Sequence, residues 1–167
     1  INIDAIEEFQ RVSERYEFLT GQRNDLLEAK ENLETIISDM VKLMKEIFSK
    51  QFKLIAESFN ETYIELFGGG RGELKLTDPE NILESGIEIE VQPPGKKLTT
   101  ISLLSGGEKA FVAITLYFAI LKVRPTPFCM LDEIDAALDD RNVERFASYL
   151  HNLSEKTQFI VITHRRG

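Results

Sequence analysis

From about Ile3 to Leu66 the chain contains no proline and a single glycine, Gly21. This run constrains the fold more than any other feature, because so long a stretch without breakers favours one continuous helix. Val12, Leu19, Leu26, Leu33, Met40 and Ile47 recur along it at heptad spacing. The companion seam is ragged: Phe9 and Tyr16 are apolar, Arg23 and Lys30 are not, and Ile37 and Met44 are apolar again. A heptad stripe with charged flanks predicts a coiled-coil arm rather than a helix lying along its own domain. Near Phe48, Phe52, Ile55 and Phe59 the phase shifts and the stripe thickens, so the helix is expected to enter a globular core there. Gly21, beside Thr20, is a candidate break. The expected division is an arm or neck helix over 1–50 and a globular lobe over 51–167.

Gly68-Gly69-Gly70 should end the helix, since three successive glycines lose too much entropy to remain helical. Glu73 to Leu76 is a short strand candidate. Ile87, Ile89 and Val91 alternate with Glu88, Glu90 and Gln92, which predicts a half-exposed strand closed by the turn Pro93-Pro94-Gly95. Leu98 to Leu103 is a third candidate. Beyond it the pattern alternates: helix from Gly106 to Leu121, buried strand Phe128 to Leu131, helix from Arg141 to Leu153, buried strand Phe159 to Ile162. Buried apolar strands separated by helices predict a parallel sheet and an α/β fold.

A hydrophobic content of 43% suffices for a core, while 28 acidic against 20 basic residues leave a net charge of −8. That balance argues against a surface that coats nucleic acid by itself, although a local basic patch remains compatible with it. The one cysteine, Cys129, sits in an apolar run and is expected to be a buried small hydrophobe in a reducing, cytoplasmic compartment. No signal peptide is visible, and Ile1 in place of Met predicts a fragment of a longer protein. Ala110 to Val123, the most apolar stretch, is shorter than the roughly 20 residues of a membrane span. It is read as a buried helix, with no membrane partner.

Four segments carry chemistry. Leu104-Ser105-Gly106-Gly107-Glu108-Lys109 lies where a loop becomes a helix. Free N–H groups at a helix start attract anions, paired glycines let a phosphate approach, and Ser105 adds a hydroxyl donor. A plain serine N-cap is the simpler alternative. Phe128-Cys129-Met130-Leu131 ends in Asp132-Glu133, at the edge where parallel sheets bind ligands. Asp132 is placed to hold a magnesium ion through water, and Glu133 to orient or deprotonate an attacking water. An exposed acidic turn is the alternative. Asp135-Ala136-Ala137-Leu138-Asp139-Asp140 could couple neighbouring nucleotide sites, or one of its aspartates could simply cap the helix at Arg141. His164, at the end of Phe159 to Thr163, can hydrogen-bond a terminal phosphate, although a lone surface histidine is usually inert. His151, on a helix face, is assigned no role.

Each segment is weak alone; their order and spacing together match ATP-binding cassette ATPases. No Gly-x-x-x-x-Gly-Lys-Ser/Thr segment is present, so the phosphates must be cradled by another stretch of polypeptide. In Leu103 to Lys109, Val123-Arg124-Pro125 through Glu133, Ala136 to Asp139 and Val161 to Arg165, the chain closely resembles the structural maintenance of chromosomes (SMC) family, bacterial members in particular. Glu65 to Arg71 and Val91 to Lys97 share the likeness.

The resemblance implies the C-terminal half of a split ABC-type ATPase head with the base of its coiled coil. The phosphate-binding loop would lie in the N-terminal half. It further implies ATP and Mg2+ as ligands, and ATP sandwiched between two heads to drive chromosome condensation and segregation, in a cytoplasmic, nucleoid-associated protein. Ser105, Gly106 and Gly107 would contact the nucleotide on the opposing head, with Asp132 serving magnesium, Glu133 and His164 catalysis, and Asp139 the loop that crosses the interface. Implied partners are the N-terminal half, a second head, the C-terminal winged-helix domain of a kleisin subunit, and DNA. The alternatives are the head half of a related split DNA-repair ATPase, or a non-hydrolysing coiled-coil adaptor. The string Ile134 to Asp140 favours SMC over the repair ATPases, and intact Ser105, Asp132, Glu133 and His164 weigh against decay to an adaptor.

Overall fold

The computed structural model describes residues 3–155 and 157–165. Its elements are α1 (Ile3–Phe67), β1 (Arg71–Leu76), β2 (Ile87–Gln92), β3 (Thr99–Thr100), a 3-10 turn (Ile101–Leu103), α2 (Gly106–Val123), β4 (Phe128–Asp132), α3 (Asp140–Leu153) and β5 (Gln158–Ile162). This is the mixed α/β fold with a long N-terminal helix that the pattern predicted. No helix among the described residues is long and apolar enough to cross a membrane.

The chain forms two compact units, Ile1–Glu46 and Ile47–Gly167. In the first, α1 is unbroken through Gly21, because one glycine costs only about 1 kcal/mol against the hydrogen bonds of the flanking turns. Its heptad positions from Val12 to Met40 are all exposed.

In the second unit the last turns of α1 become core. Phe59, Tyr63 and Leu66 are buried together with Phe111 and Phe118 of α2. Ser58 Oγ donates to the Ala119 carbonyl at 3.1 Å, tying α1 to α2, and Thr62 Oγ1 lies 3.3 Å from the Tyr149 hydroxyl of α3. Arg145 Nη1 donates to the Phe67 carbonyl at 2.8 Å, capping the end of α1. Gly68, Gly69 and Gly70 all take positive φ and turn the chain into β1. At Gly70 a Cβ would lie 2.2 Å from the Gln92 carbonyl oxygen, so glycine is required twice over.

β1, β2 and β3 form an antiparallel sheet, with Gly72 opposite Val91 and Val91 opposite Thr99. The strand expected over Leu98 to Leu103 shrinks to two residues; the chain then tightens into the 3-10 turn that delivers Leu104 and Ser105 to α2. β4 and β5 form a separate parallel pair, in register from Phe128 opposite Gln158 to Asp132 opposite Ile162.

These parallel strands were expected to be fully buried, and they are not. Cys129 and Leu131 are buried, but Phe128 is 59% exposed and Met130 61%. On β5, Ile160, Val161 and Ile162 are 41% to 47% exposed. The reason is one of supply: parallel sheets are ordinarily covered on both faces. Among the described residues the buried core holds Cys129 and Leu131 from one face of β4, while Phe128 and Met130 on the other face stay exposed. α2 is likewise buried on one face, with Tyr117 and Ile120 each 41% exposed on the other.

Candidate functional site

The ends of the two parallel strands bring together residues separated in sequence by the whole of α3. β4 ends at Asp132, and Glu133 follows with φ +48°, a left-handed backbone that non-glycine residues seldom adopt. The Glu133 N–H donates to the Ile162 carbonyl at 2.9 Å, extending the ladder by one bond, and its own carbonyl accepts from Ala136 N–H at 3.1 Å. The strand therefore stops at Asp132, and the left-handed residue turns the next carboxylate toward the end of β5. There His164 Nε2 lies 2.8 Å from Glu133 Oε1. Both side chains are exposed, and so is Asp132.

The glycine pair begins α2. Ser105 is its N-cap in a full capping box: Glu108 N–H donates to Ser105 Oγ at 3.4 Å, and Ser105 N–H donates to Glu108 Oε2 at 3.2 Å. Ser105 Oγ also donates to Glu108 Oε2 at 2.9 Å. The N-cap and anion-site readings of Ser105 are compatible, since the cap satisfies one N–H and leaves the others at the helix start. Lys96, after the Pro93-Pro94-Gly95 turn, bonds Glu108 Oε1 at 2.7 Å. Lys96 first, then the Ser105 hydroxyl and backbone, hold the Glu108 carboxyl below the usual range. This lysine escaped the sequence reading, although the capping box was legible as Ser105-x-x-Glu108. A Cβ on Gly106 would meet nothing within 4 Å, whereas one on Gly107 would lie 3.0 Å from the Ala137 carbonyl. Gly106 leaves open space for an incoming anion, and Gly107 lets the helix start touch the loop after β4.

That loop runs from Ile134 to Asp139. Asp139 is the N-cap of α3, accepting from Asn142 N–H at 2.8 Å, which decides between the two candidate caps. Asp135 is buried, at 5% exposure, and accepts from Thr163 Oγ1 at 2.6 Å. Arg165 Nη1 donates to Asp140 Oδ1 at 2.9 Å, and its Nη2 donates to the Leu138 carbonyl. Thr163 and Arg165, to which no role was given from sequence, thus bracket His164. The available signal was a histidine between a hydroxyl and a cation facing an acidic loop. Cys129 is buried, as expected, and its Sγ lies 2.7 Å from the Tyr117 hydroxyl. That contact first, with burial, pushes the Tyr117 hydroxyl up to about 12.

Residues 11–167 match the RecF/RecN/SMC N terminal domain model. The chain belongs to the RecF/RecN/SMC family. It is 56% identical over 167 residues to the chromosome partition protein Smc of Bacillus subtilis (strain 168), covering 100% of this chain and 14% of that protein. Among solved structures, the Smc head domain with an extended coiled coil from Pyrococcus furiosus, bound to the C-terminal domain of ScpA, superposes with a TM-score of 0.75 at 41% identity. That likeness covers 98% of this chain and 41% of the other. A second solved chain, from structural biochemistry of ATP-driven dimerization and DNA-stimulated activation of SMC ATPases, gives a TM-score of 0.68 at 44% identity. It covers 72% of this chain and 73% of that one. The chain therefore spans a small fraction of its full-length relatives within the family.

The donor set suits a magnesium nucleotide. Oxygen ligands at a strand's end, an open helix N-terminus and a carboxylate–imidazole pair are the parts such a ligand needs. No three His, Cys, Asp or Glu residues gather as a metal site among the described residues.

Proposed function

We propose that this chain is the C-terminal half of an SMC ATPase head with the base of its coiled-coil arm, active as an ATPase only with the N-terminal half and a second head. The observation that carries the reading is the Glu133–His164 contact at 2.8 Å, at the edge of a parallel sheet whose outer face exposes Phe128 and Met130. A carboxylate and an imidazole stand ready for a water and a phosphate, yet the sequence carries no phosphate-loop motif, and among the described residues nothing covers Phe128 and Met130.

Within the assembled site each residue has a distinct task. Glu133 Oε orients the attacking water and takes its proton. His164 Nε2, 2.8 Å from Glu133 Oε1, holds that carboxylate in place and would hydrogen-bond a terminal phosphate oxygen. Asp132 would hold magnesium through water, and a bound magnesium would supply neutralisation of charge on the transferred phosphoryl group. Ser105, Gly106 and Gly107 present a hydroxyl and helix N–H groups to the nucleotide on the opposing head, and Asp139 lies in the loop that crosses between heads. ATP turnover would drive chromosome condensation and segregation, with DNA as cargo in a cytoplasmic, nucleoid-associated assembly. A kleisin winged-helix domain would bind this half; the Pyrococcus furiosus Smc head domain is bound to the C-terminal domain of ScpA.

The test is reconstitution. The chain alone should show negligible ATP hydrolysis and low stability. Adding the segment of the same protein that carries the phosphate-binding loop should restore both. Robust hydrolysis by the pure chain would refute the split site.

A further inference from the structure

His164 is held on both shoulders by one loop. Before it, Thr163 Oγ1 donates to Asp135 Oδ2 at 2.6 Å. After it, Arg165 donates through Nη1 to Asp140 Oδ1 at 2.9 Å and through Nη2 to the Leu138 carbonyl. The two shoulders are bonded to each other, since Arg165 N–H donates to Thr163 Oγ1 at 3.0 Å. The loop closes the ring from its own side, with Leu138 N–H donating to the Asp135 carbonyl at 3.0 Å. Asp139 sits inside this ring, between Leu138 and Asp140.

We infer that Thr163 and Arg165 form a clasp that ties the position of His164 to that of Asp139, so that engagement of the histidine at its own nucleotide is passed to the loop facing the second head. This rests on the split-head reading above. Three physical points support a linkage rather than loose adhesion. A carboxylate as buried as Asp135 is costly without a hydrogen-bond donor, so the Thr163 bond is not readily given up. A guanidinium that spans a carbonyl and a carboxylate uses its fixed fork, which transmits orientation as well as attraction. The anchors at 163 and 165 restrict the intervening histidine backbone, so that a shift of His164 strains the bonds to Asp135, Leu138 and Asp140. Thr163 and Arg165 are positioning residues, because their side chains bond Asp135, Leu138 and Asp140 and act on His164 through these neighbours.

The test uses the assembled head with Thr163→Val, Arg165→Met and Arg165→Lys. Amide hydrogen exchange at Leu138 and Asn142, read without nucleotide, reports the loop; ATP affinity of a single head and ATP-driven pairing of heads report its consequence. The expected result is faster exchange at both amides in Thr163→Val and Arg165→Met. ATP affinity of the single head should hold, while pairing weakens by about 5-fold or more, as for a typical coupling between sites. Arg165→Lys keeps the charge without the fork and should fall between. Unchanged exchange, or faster exchange with unchanged pairing, overturns the clasp. Should Arg165→Met fail to fold, the nearly isosteric Thr163→Val decides. A wild-type assembled head that binds no ATP would sink the split-head reading instead, while exchange still shows whether the ring holds the loop.

Discussion

The positive φ of Glu133 makes a prediction that separates backbone from chemistry. At φ +48° an L-residue other than glycine carries a penalty of about 1–2 kcal/mol. Replacing Glu133 by Gly removes the penalty but adds unfolded-state entropy worth about 0.5–1 kcal/mol. Replacing it by Ala keeps the strain. Both changes lose the contact with His164, which is exposed on both sides and so contributes little; in any case it cancels between them. Glu133→Gly should therefore be more stable than Glu133→Ala by about 1 kcal/mol, roughly a fivefold change in the folding equilibrium. Glu133→Gln retains size, hydrogen bonding and backbone; its stability should match the parent while hydrolysis falls by about 10²–10⁴-fold. Urea unfolding of the assembled head, beside steady-state phosphate release, measures both. An Ala variant as stable as the Gly variant would show that the left-handed turn stores no strain. A Gln variant that hydrolyses at the parental rate would remove Glu133 from the mechanism.

Ser105→Arg places a bulky cation at an exposed helix start, so ATP should still bind the assembled head while ATP-driven pairing is lost; lost binding with intact pairing would contradict a role across the interface. The Glu108 carboxyl is depressed chiefly by Lys96, so the stabilisation it brings is complete above the ordinary glutamate range and is lost only as pH falls through the lower folded value. Lys96→Met should move that loss to higher pH, read as the Glu108 carboxyl titration by carbon NMR; an unmoved midpoint would assign the depression to Ser105 alone.

The sequence was informative where local chemistry decides structure. The breaker-free run to Phe67, the glycine cluster after it, and apolar strands ending in Asp132 and Thr163 each follow from propensity and pattern over a few residues. Burial was not legible in the same way. Phe128-Cys129-Met130-Leu131 reads as a wholly buried strand because it is wholly apolar, yet only Cys129 and Leu131 find cover within this chain. Composition states which surfaces prefer burial and says nothing about which polypeptide supplies the cover. Lys96 and Arg165 were missed for a related reason: a long cation on a loop can reach many partners, and only the tertiary fold selects Glu108 or Asp140. The third strand fell short because β-branched Thr99-Thr100 pairs with β2 while Ile101 already turns toward the capping box at Ser105.

The exposed face and the catalytic edge belong to the same two strands, and that links assembly to activity under the split-head reading. Full burial of a large apolar side chain contributes about 1.5–3 kcal/mol. Phe128, Met130, Ile160 and Ile162, which share one face of the pair, are each roughly half exposed. Covering them would contribute on the order of 5 kcal/mol before the entropy of association is subtracted. That is comparable with the whole stability of a domain. A polypeptide that pairs with an open edge of β4 or β5 would lie beside Asp132, Glu133 and His164, because register carries every residue of a parallel neighbour to the same end. Under the split-head reading, the partner that covers this apolar face would also bring the phosphate-binding loop to that end. On the same reading a lone half should therefore hydrolyse no ATP and should fold only marginally until that partner docks.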